Sequence, residues 1–286
     1  MTAPGPSGGL PPRPSVSWTD LGPRFVSAIV LIVVIATFLY LGGWYWAALA
    51  AAVFAVTYRE WEQMVMLKPI GALGFVLAGL LAVASLAYPA FGPLGTLAVA
   101  AVAVVVALFG ARTAVPWRIG GLIFFAVVLI AVQELRGTVP AGIVAGWYLG
   151  IVIALNDTGA YFVGRVIGGP KLAPTISPAK TVSGAVGGWL IGTIAGTIYW
   201  MVFTPSPWWL GLIFSAILGI AGQSGDLIES AIKRLFRIKD SGDIIPGHGG
   251  FMDRLDSVTF GLILLVVIGA LHAGGLGNVP TGFLYW

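Results

Sequence analysis

The run FVSAIVLIVVIATFLYL, residues 25–41, has no charged side chain, and its only polar groups are Ser27, Thr37 and Tyr40. Wound as a helix at about 1.5 Å per residue it is roughly 25 Å long, close to the apolar thickness of a bilayer. Its end, Thr37-Phe38-Leu39-Tyr40, is bulky where a cleaved signal peptide needs small residues. The run is therefore expected to stay as a membrane span. Ahead of it, the first 22 or so residues are rich in Pro, Gly and Ser. They predict a disordered tail over residues 1–23, ending at Arg24.

The same pattern recurs eight times, at about 44–58, 70–88, 92–109, 119–135, 142–164, 182–203, 207–232 and 255–273. Pro69, Pro93, Pro116, Pro140 and Pro207 mark the breaks. Over all 286 residues, 58% are hydrophobic and 9% charged, with a mean hydropathy of +0.97. A soluble domain carries roughly 25% charged residues, and a disordered chain needs low hydrophobicity. The expected fold class is all-α, a polytopic integral membrane protein of nine transmembrane helices. With no cysteine, disulfides, thiolate zinc and iron–sulfur clusters are excluded. Two histidines are too few for a His-rich metal site, and a net charge of +4 is no footprint for a nucleic acid polymer.

Positive charge gives the orientation. With the N-terminus cytoplasmic and nine crossings, the inner side holds Arg13, Arg24, Arg59, Lys68, Arg112, Arg118, Arg165, Lys171, Lys180, Lys233, Arg234, Arg237, Lys239 and Arg254. That is 14 of the 15 basic residues, with Arg136 alone outside. The C-terminus and His272 then face outward. Trp44, Tyr45, Trp46, Trp61, Trp208 and Trp209 fall at span ends, where amphipathic rings favour the headgroup layer.

Polar residues gather in the later spans, and a carboxylate inside a bilayer persists mainly when paired, hydrated or used. Asn156 and Asp157 lie in the sixth span, with Tyr161 and Arg165 on the same helix face as Asp157. Two readings stay open: an Asp157–Arg165 charge relay that eases insertion, or a polar stripe leading to a cytoplasmic site. The loop 168–181 offers Lys171, Ser177 and Lys180 among glycines and hydroxyls but no acid. That suits a phosphate cradle, although basic cytoplasmic loops also arise from topology, and the Walker A spacing is absent. In the eighth span, Asp226, Ser230 and Lys233 form one stripe. Residues 239–256 read KDSGDIIPGHGGFMDRLD, with Asp240, Asp243, Asp253 and Asp256 around a glycine-rich turn that lets backbone approach a ligand closely. Carboxylates beside cations, without Cys or several His, match Mg²⁺ bound partly through substrate phosphates.

Ser230-Ala231-Ile232-Lys233-Arg234, then Lys239-Asp240, then Pro246-Gly247-His248-Gly249-Gly250-Phe251-Met252-Asp253-Arg254-Leu255-Asp256 closely resembles the signature of phosphatidate cytidylyltransferases, also called CDP-diacylglycerol synthases. Asn156-Asp157, Gly159-Ala160-Tyr161, Gly164-Arg165 and Ser177–Thr181 are similar to that family too, so the resemblance covers roughly residues 155–257. It implies the reaction of CTP with phosphatidic acid to give CDP-diacylglycerol and pyrophosphate. It also implies Mg²⁺ dependence, a K⁺ contribution and a homodimer, and it places the family's metal-binding acids at Asp226 and Asp253.

Taken with the residue chemistry, the expected catalytic set is Asp226, Asp253, Lys233 and Lys180. Asp226 and Asp253 are the metal ligands, with Asp256 a third ligand or an acceptor behind them. Lys171, Lys180, Lys233, Arg234 and Lys239 would neutralise the phosphates. Asn156 and Asp157 would contact nucleotide or help hold a cation, and Ser177, Ser230, Gly249, Gly250 and Arg254 complete the substrate-binding set. His248 either donates to phosphate or orders its turn. Residues 24–138 are expected to form a transmembrane scaffold and 139–286 the catalytic region, in the cell inner membrane with the site facing the cytoplasm. A secondary transporter using Asp157 and Asp226 as ion-coupling groups is the rival from another class. No inverted repeat between the halves supports it, and the acids cluster at one face. A related transferase acting on another lipid is the rival among enzymes.

Overall fold

A computed structural model describes residues 21–110, 113–137, 140–242 and 250–286. Most of the expected tail, together with His248 and Gly249, lies outside the described residues. The helices are α1 (Leu21–Leu41), α2 (Gly43–Met66), α3 (Ala72–Gly110), α4 (Val115–Arg136), α5 (Ala141–Ile167), α6 (Val182–Phe203), α7 (Trp208–Leu235), α8 (Met252–Ala273) and α9 (Val279–Leu284). Between α5 and α6 a small antiparallel hairpin pairs β1 (Lys171–Ala173) with β2 (Ser177–Thr181), Lys171 opposite Thr181 and Ala173 opposite Ser177. The basic segment read as a loop is thus partly strand, an addition to the all-α expectation. Its backbone groups leave α5 unpaired and find one another across the turn.

Among the described residues six helices, α3 to α8, are long and apolar enough to cross a membrane, and α1 adds the shorter apolar stretch Val26–Leu41. The chain is accordingly an integral membrane protein. As a straight rod, the 39 residues of α3 would reach about 58 Å, nearly twice the bilayer's apolar core. They do not run straight. Gly92 takes φ 62° and ψ −157° between Pro89 and Pro93, a combination open essentially to glycine alone. The chain turns back there: Thr96 Oγ1 donates to Ala84 O at 2.9 Å, and the Leu73 side chain meets Gly110 at the far end. The stretches 70–88 and 92–109 are the two arms of this helical hairpin.

Small residues let the later helices approach closely. A Cβ on Gly188 of α6 would sit 2.6 Å from the Ala160 nitrogen of α5, and one on Gly192 would sit 2.7 Å from Val152 O. Between lipid-facing helices such contact supplies the packing that a hydrophobic effect cannot. Likewise Gly225 of α7 lies against Asp256 O of α8, which carries the neighbouring Asp226 toward α8. Behind these contacts Asn156 is fully buried. It donates to Gly219 O at 3.0 Å and accepts from Gln223 Nε2 at 2.8 Å, and the same Gln223 amide reaches Ala185 O at 2.8 Å. One amide network ties α5, α6 and α7 together.

The two ends of this bundle differ. Tyr148 of α5, Trp200 of α6, Phe214 of α7 and Phe283 of α9 pack their rings 5.0–5.8 Å apart at one end. The C-terminal part of α5, the start of α6, the C-terminal part of α7 and the start of α8 meet at the other, where the polar residues are.

Candidate active site

A cavity of about 1140 Å³ opens at that polar end. Asp157 and Arg165 of α5, Lys171 and Lys180 of the hairpin, Asp226 and Lys233 of α7, and Asp253, Arg254 and Asp256 of α8 all line it. Local sequence explains the convergence. Thr181 caps α6 by accepting from Gly184 N at 3.1 Å, so β2 runs straight into the helix and Lys180 faces the cavity. Arg234 holds the hairpin from the α7 side, donating from Nε to Ile176 O at 3.1 Å and from Nη1 to Ile238 O at 3.2 Å.

Acids and cations interleave within the cavity. Lys180 pairs with Asp226, each side chain about a quarter exposed (27% and 28%), and Ser230 Oγ lies 3.4 Å from the same carboxylate. Lys233 Nζ is 2.6 Å from Asp253 Oδ1 and 3.1 Å from Glu229 Oε1. Asp253 Oδ2 accepts from Ser241 N at 3.1 Å, Ser241 Oγ at 2.9 Å and Gly250 N at 3.1 Å. Asp157, Asp226 and Asp256 lie near enough for their charges to act on one another. Asp256 Oδ1 also accepts from Ser257 N at 2.7 Å. Among the described residues no three acid, His or Cys side chains form a ready-made metal cage. The donor chemistry is nonetheless all oxygen, which suits a hard cation that takes its remaining ligands from a substrate.

The family model for the cytidylyltransferase family matches residues 23–272. The chain belongs to the cytidylyltransferase family. It is 31% identical to the phosphatidate cytidylyltransferase of Brucella suis over 273 residues, covering 93% of this chain and 99% of that one. The phosphatidate cytidylyltransferase of Bacillus subtilis is 44% identical over 141 residues, about half of each chain (49% and 52%). That of Staphylococcus saprophyticus is 51% identical over 120 residues, 41% of this chain and 46% of its own.

Of the residues expected in the site, this cytidylyltransferase gathers Asp157, Lys171, Lys180, Asp226, Lys233, Asp253, Arg254 and Asp256 around the cavity. Others serve behind or beside it. Asn156 is spent on the interhelical amide network, Ser230 on Asp226, Arg234 on the hairpin and Gly250 on Asp253. Ser177 sits at the start of β2, and Lys239 is exposed in the segment after α7. Arg165 Nη1 donates to Tyr161 Oη at 2.8 Å, and among the described residues no ion pair joins it to Asp157. Asp157, Tyr161 and Arg165 of that stripe all line the cavity.

Gln223, Glu229 and Asp240 were outside the expected site set, although Asp240 stands among the acids of the 239–256 segment. Gln223 and Asp240 line the cavity, and Glu229 braces Lys233. For Glu229 a signal existed, since it stands four residues before Lys233 on one helix, the spacing that brings opposite charges together.

Proposed function

We propose that the chain transfers the cytidylyl group of CTP to phosphatidate, giving CDP-diacylglycerol and pyrophosphate. The observation that carries this reading is one cavity in which Arg165, Lys171, Lys180, Lys233 and Arg254 face Asp157, Asp226, Asp253 and Asp256. It lies at one end of a bundle of membrane-length helices, and the names of the relatives agree with it. Phe162, Val166 and Ile167, near the cavity-lining Arg165 along α5, are exposed apolar groups. A lipid phosphate could reach the cations from that side while its acyl chains stay among apolar residues.

A phosphate oxygen of phosphatidate attacks the α-phosphorus of CTP. A new P–O bond forms as the bond to the bridging α–β oxygen breaks, and the electron pair leaves with pyrophosphate. The nucleophile is already anionic, so no strong base is required. What must be overcome is repulsion between two anions and the charge growing on the leaving group. Preorganised cations in a site that excludes water are the effective answer to both. Lys180 and Lys171 on the hairpin would meet the triphosphate, and Lys233, held by Asp253 and Glu229, would add a fixed charge. Asp226, Asp253 and Asp256 would hold Mg²⁺, with K⁺ as a further cation. A bound divalent ion supplies positive charge to the phosphoryl oxygens.

The membrane arrangement belongs to the same proposal: nine crossings, N-terminus and active site cytoplasmic, in the cell inner membrane. The fold-back of α3 at Gly92 supports two crossings there, and 14 of 15 basic residues on one side support the orientation. A homodimer is included on the strength of the family resemblance. The decisive experiment incubates purified protein with radiolabelled CTP, phosphatidate and Mg²⁺. Labelled lipid should form, vanish when phosphatidate is omitted and fall to background with EDTA. If no labelled lipid forms while vesicles carrying the protein take up ions, the reading gives way to a transporter.

A further inference from the structure

Glu60 sits near the end of α2, in the N-terminal half, and has no exposed surface at all (0%). A carboxylate so placed must have its oxygens satisfied. Its partners lie about 190 residues away. Oε1 accepts from Phe251 N at 3.0 Å, and Oε2 accepts from Met252 N at 2.8 Å, with Ser241 Oγ in contact at 3.3 Å. Phe251 and Met252 open α8, whose first amides no side chain of its own N-cap residue satisfies. The first turn of a helix presents unpaired N–H groups and the positive end of its dipole. Glu60 meets both from another helix.

The same network reaches Asp253. Ser241 Oγ, in contact with Glu60, donates to Asp253 Oδ2 at 2.9 Å, and Gly250 N reaches that oxygen at 3.1 Å. Room for this is made by glycine. A Cβ on Gly250 would lie 2.7 Å from Glu60 Oε2, and one on Gly242 would lie 2.9 Å from Glu60 Oε1. The space a side chain at Gly250 would need is therefore held by the Ser241 hydroxyl and the Glu60 carboxylate of the chain itself.

We propose that Glu60 is a positioning residue for the transfer reaction: it caps α8 from the N-terminal half and, through Ser241, sets the carboxylate of Asp253. The proposal rests on the transferase reading for its effect on turnover, and on geometry alone for the tether. Residues that orient a charged group in this way typically cost 10–100-fold in activity when changed.

Full-length protein in detergent, wild type against Glu60→Gln, Ser241→Ala, the double variant and Glu62→Gln, provides the test. Two quantities are read: amide exchange of the segment 250–256, and kcat with KM for CTP. Glu60→Gln should speed exchange in that segment roughly tenfold or more, since a cap has been lost. It should lower kcat about 10–100-fold with little change in KM. Ser241→Ala should lower kcat less, and the double variant should lose no more than Glu60→Gln, because both act through Asp253. Glu62→Gln, two residues along α2, controls for general loosening and should leave exchange at 250–256 unchanged. Wild-type exchange or wild-type turnover in Glu60→Gln overturns the proposal, as does equal acceleration in Glu62→Gln. Should the wild type make no CDP-lipid, the transferase reading falls instead, and the exchange comparison still decides for or against the tether.

Discussion

Two ion pairs of similar make-up sit in different halves of the molecule. In the N-terminal half Arg118 of α4 pairs with Glu62 of α2, the side chains 8% and 2% exposed, and Arg118 Nε reaches both carboxylate oxygens at 3.0 Å. In the C-terminal half Lys180 pairs with Asp226, more than a quarter exposed on a cavity. Arg118 Nη1 also donates to Thr113 O at 3.0 Å, so the first pair is a closed lock, buried and bound to protein groups. The second is open on one side and can exchange its partner for a phosphate or a metal ion. Charge within a membrane protein does not by itself mark a site; charge that faces a cavity does.

The contrast can be broken in four places. Asp253→Asn keeps the shape but removes the charge that faces Lys233 and turns one acceptor oxygen into a donor, and it should lower CDP-lipid formation by about a thousandfold while the protein elutes as the wild type does in detergent; near-normal turnover would remove Asp253 from the machinery. Glu62→Ala, in the closed lock, leaves Arg118 buried without a counter-charge and should cost about 3–5 kcal/mol of stability. Thermal unfolding in detergent should reveal it as lost folded protein, with activity per folded molecule retained. Lys180→Ala should do the reverse. An ion pair this exposed contributes at most about 1 kcal/mol to stability, so the unfolding midpoint should barely move, whereas a titration should show KM for CTP raised roughly tenfold, the worth of one charge-assisted contact. The smallest effect belongs to His272, at the far end of α8, stacked 3.8 Å from the Trp286 ring with Nδ1 2.7 Å from Gly282 O. His272→Ala should leave turnover unchanged in the same assay, and loss of catalysis would place the site at the wrong end of the bundle.

Much of the site was legible before folding because its acids and cations stand at helical spacings next to apolar runs. Asp226, Ser230 and Lys233 are close along α7, and Ser230 does reach Asp226. The side to which each polar group turns was not legible. Asn156 and Asp157 are adjacent in sequence, yet Asn156 bonds to Gly219 and Gln223 behind the wall while Asp157 lines the cavity. The glycine-rich turn suggested close approach to a ligand, and at Gly250 the approach is to Ser241 and Glu60. Nothing near Glu60 in the chain marks it, because its partners come from a helix start about 190 positions away.

Hydropathy is a local sum, so the sequence alone determined that apolar stretches of bilayer length would become helices and that the chain would break near Pro93, between the stretches 70–88 and 92–109. The order of charges along those stretches likewise set which ends would carry the chemistry. Only tertiary structure decided which carboxylates are locked and which stay open, since that depends on the helices brought alongside. Burial and hydrogen-bond partners are properties of packing, and small residues such as Gly188 and Gly225 act there by letting distant backbones close to contact.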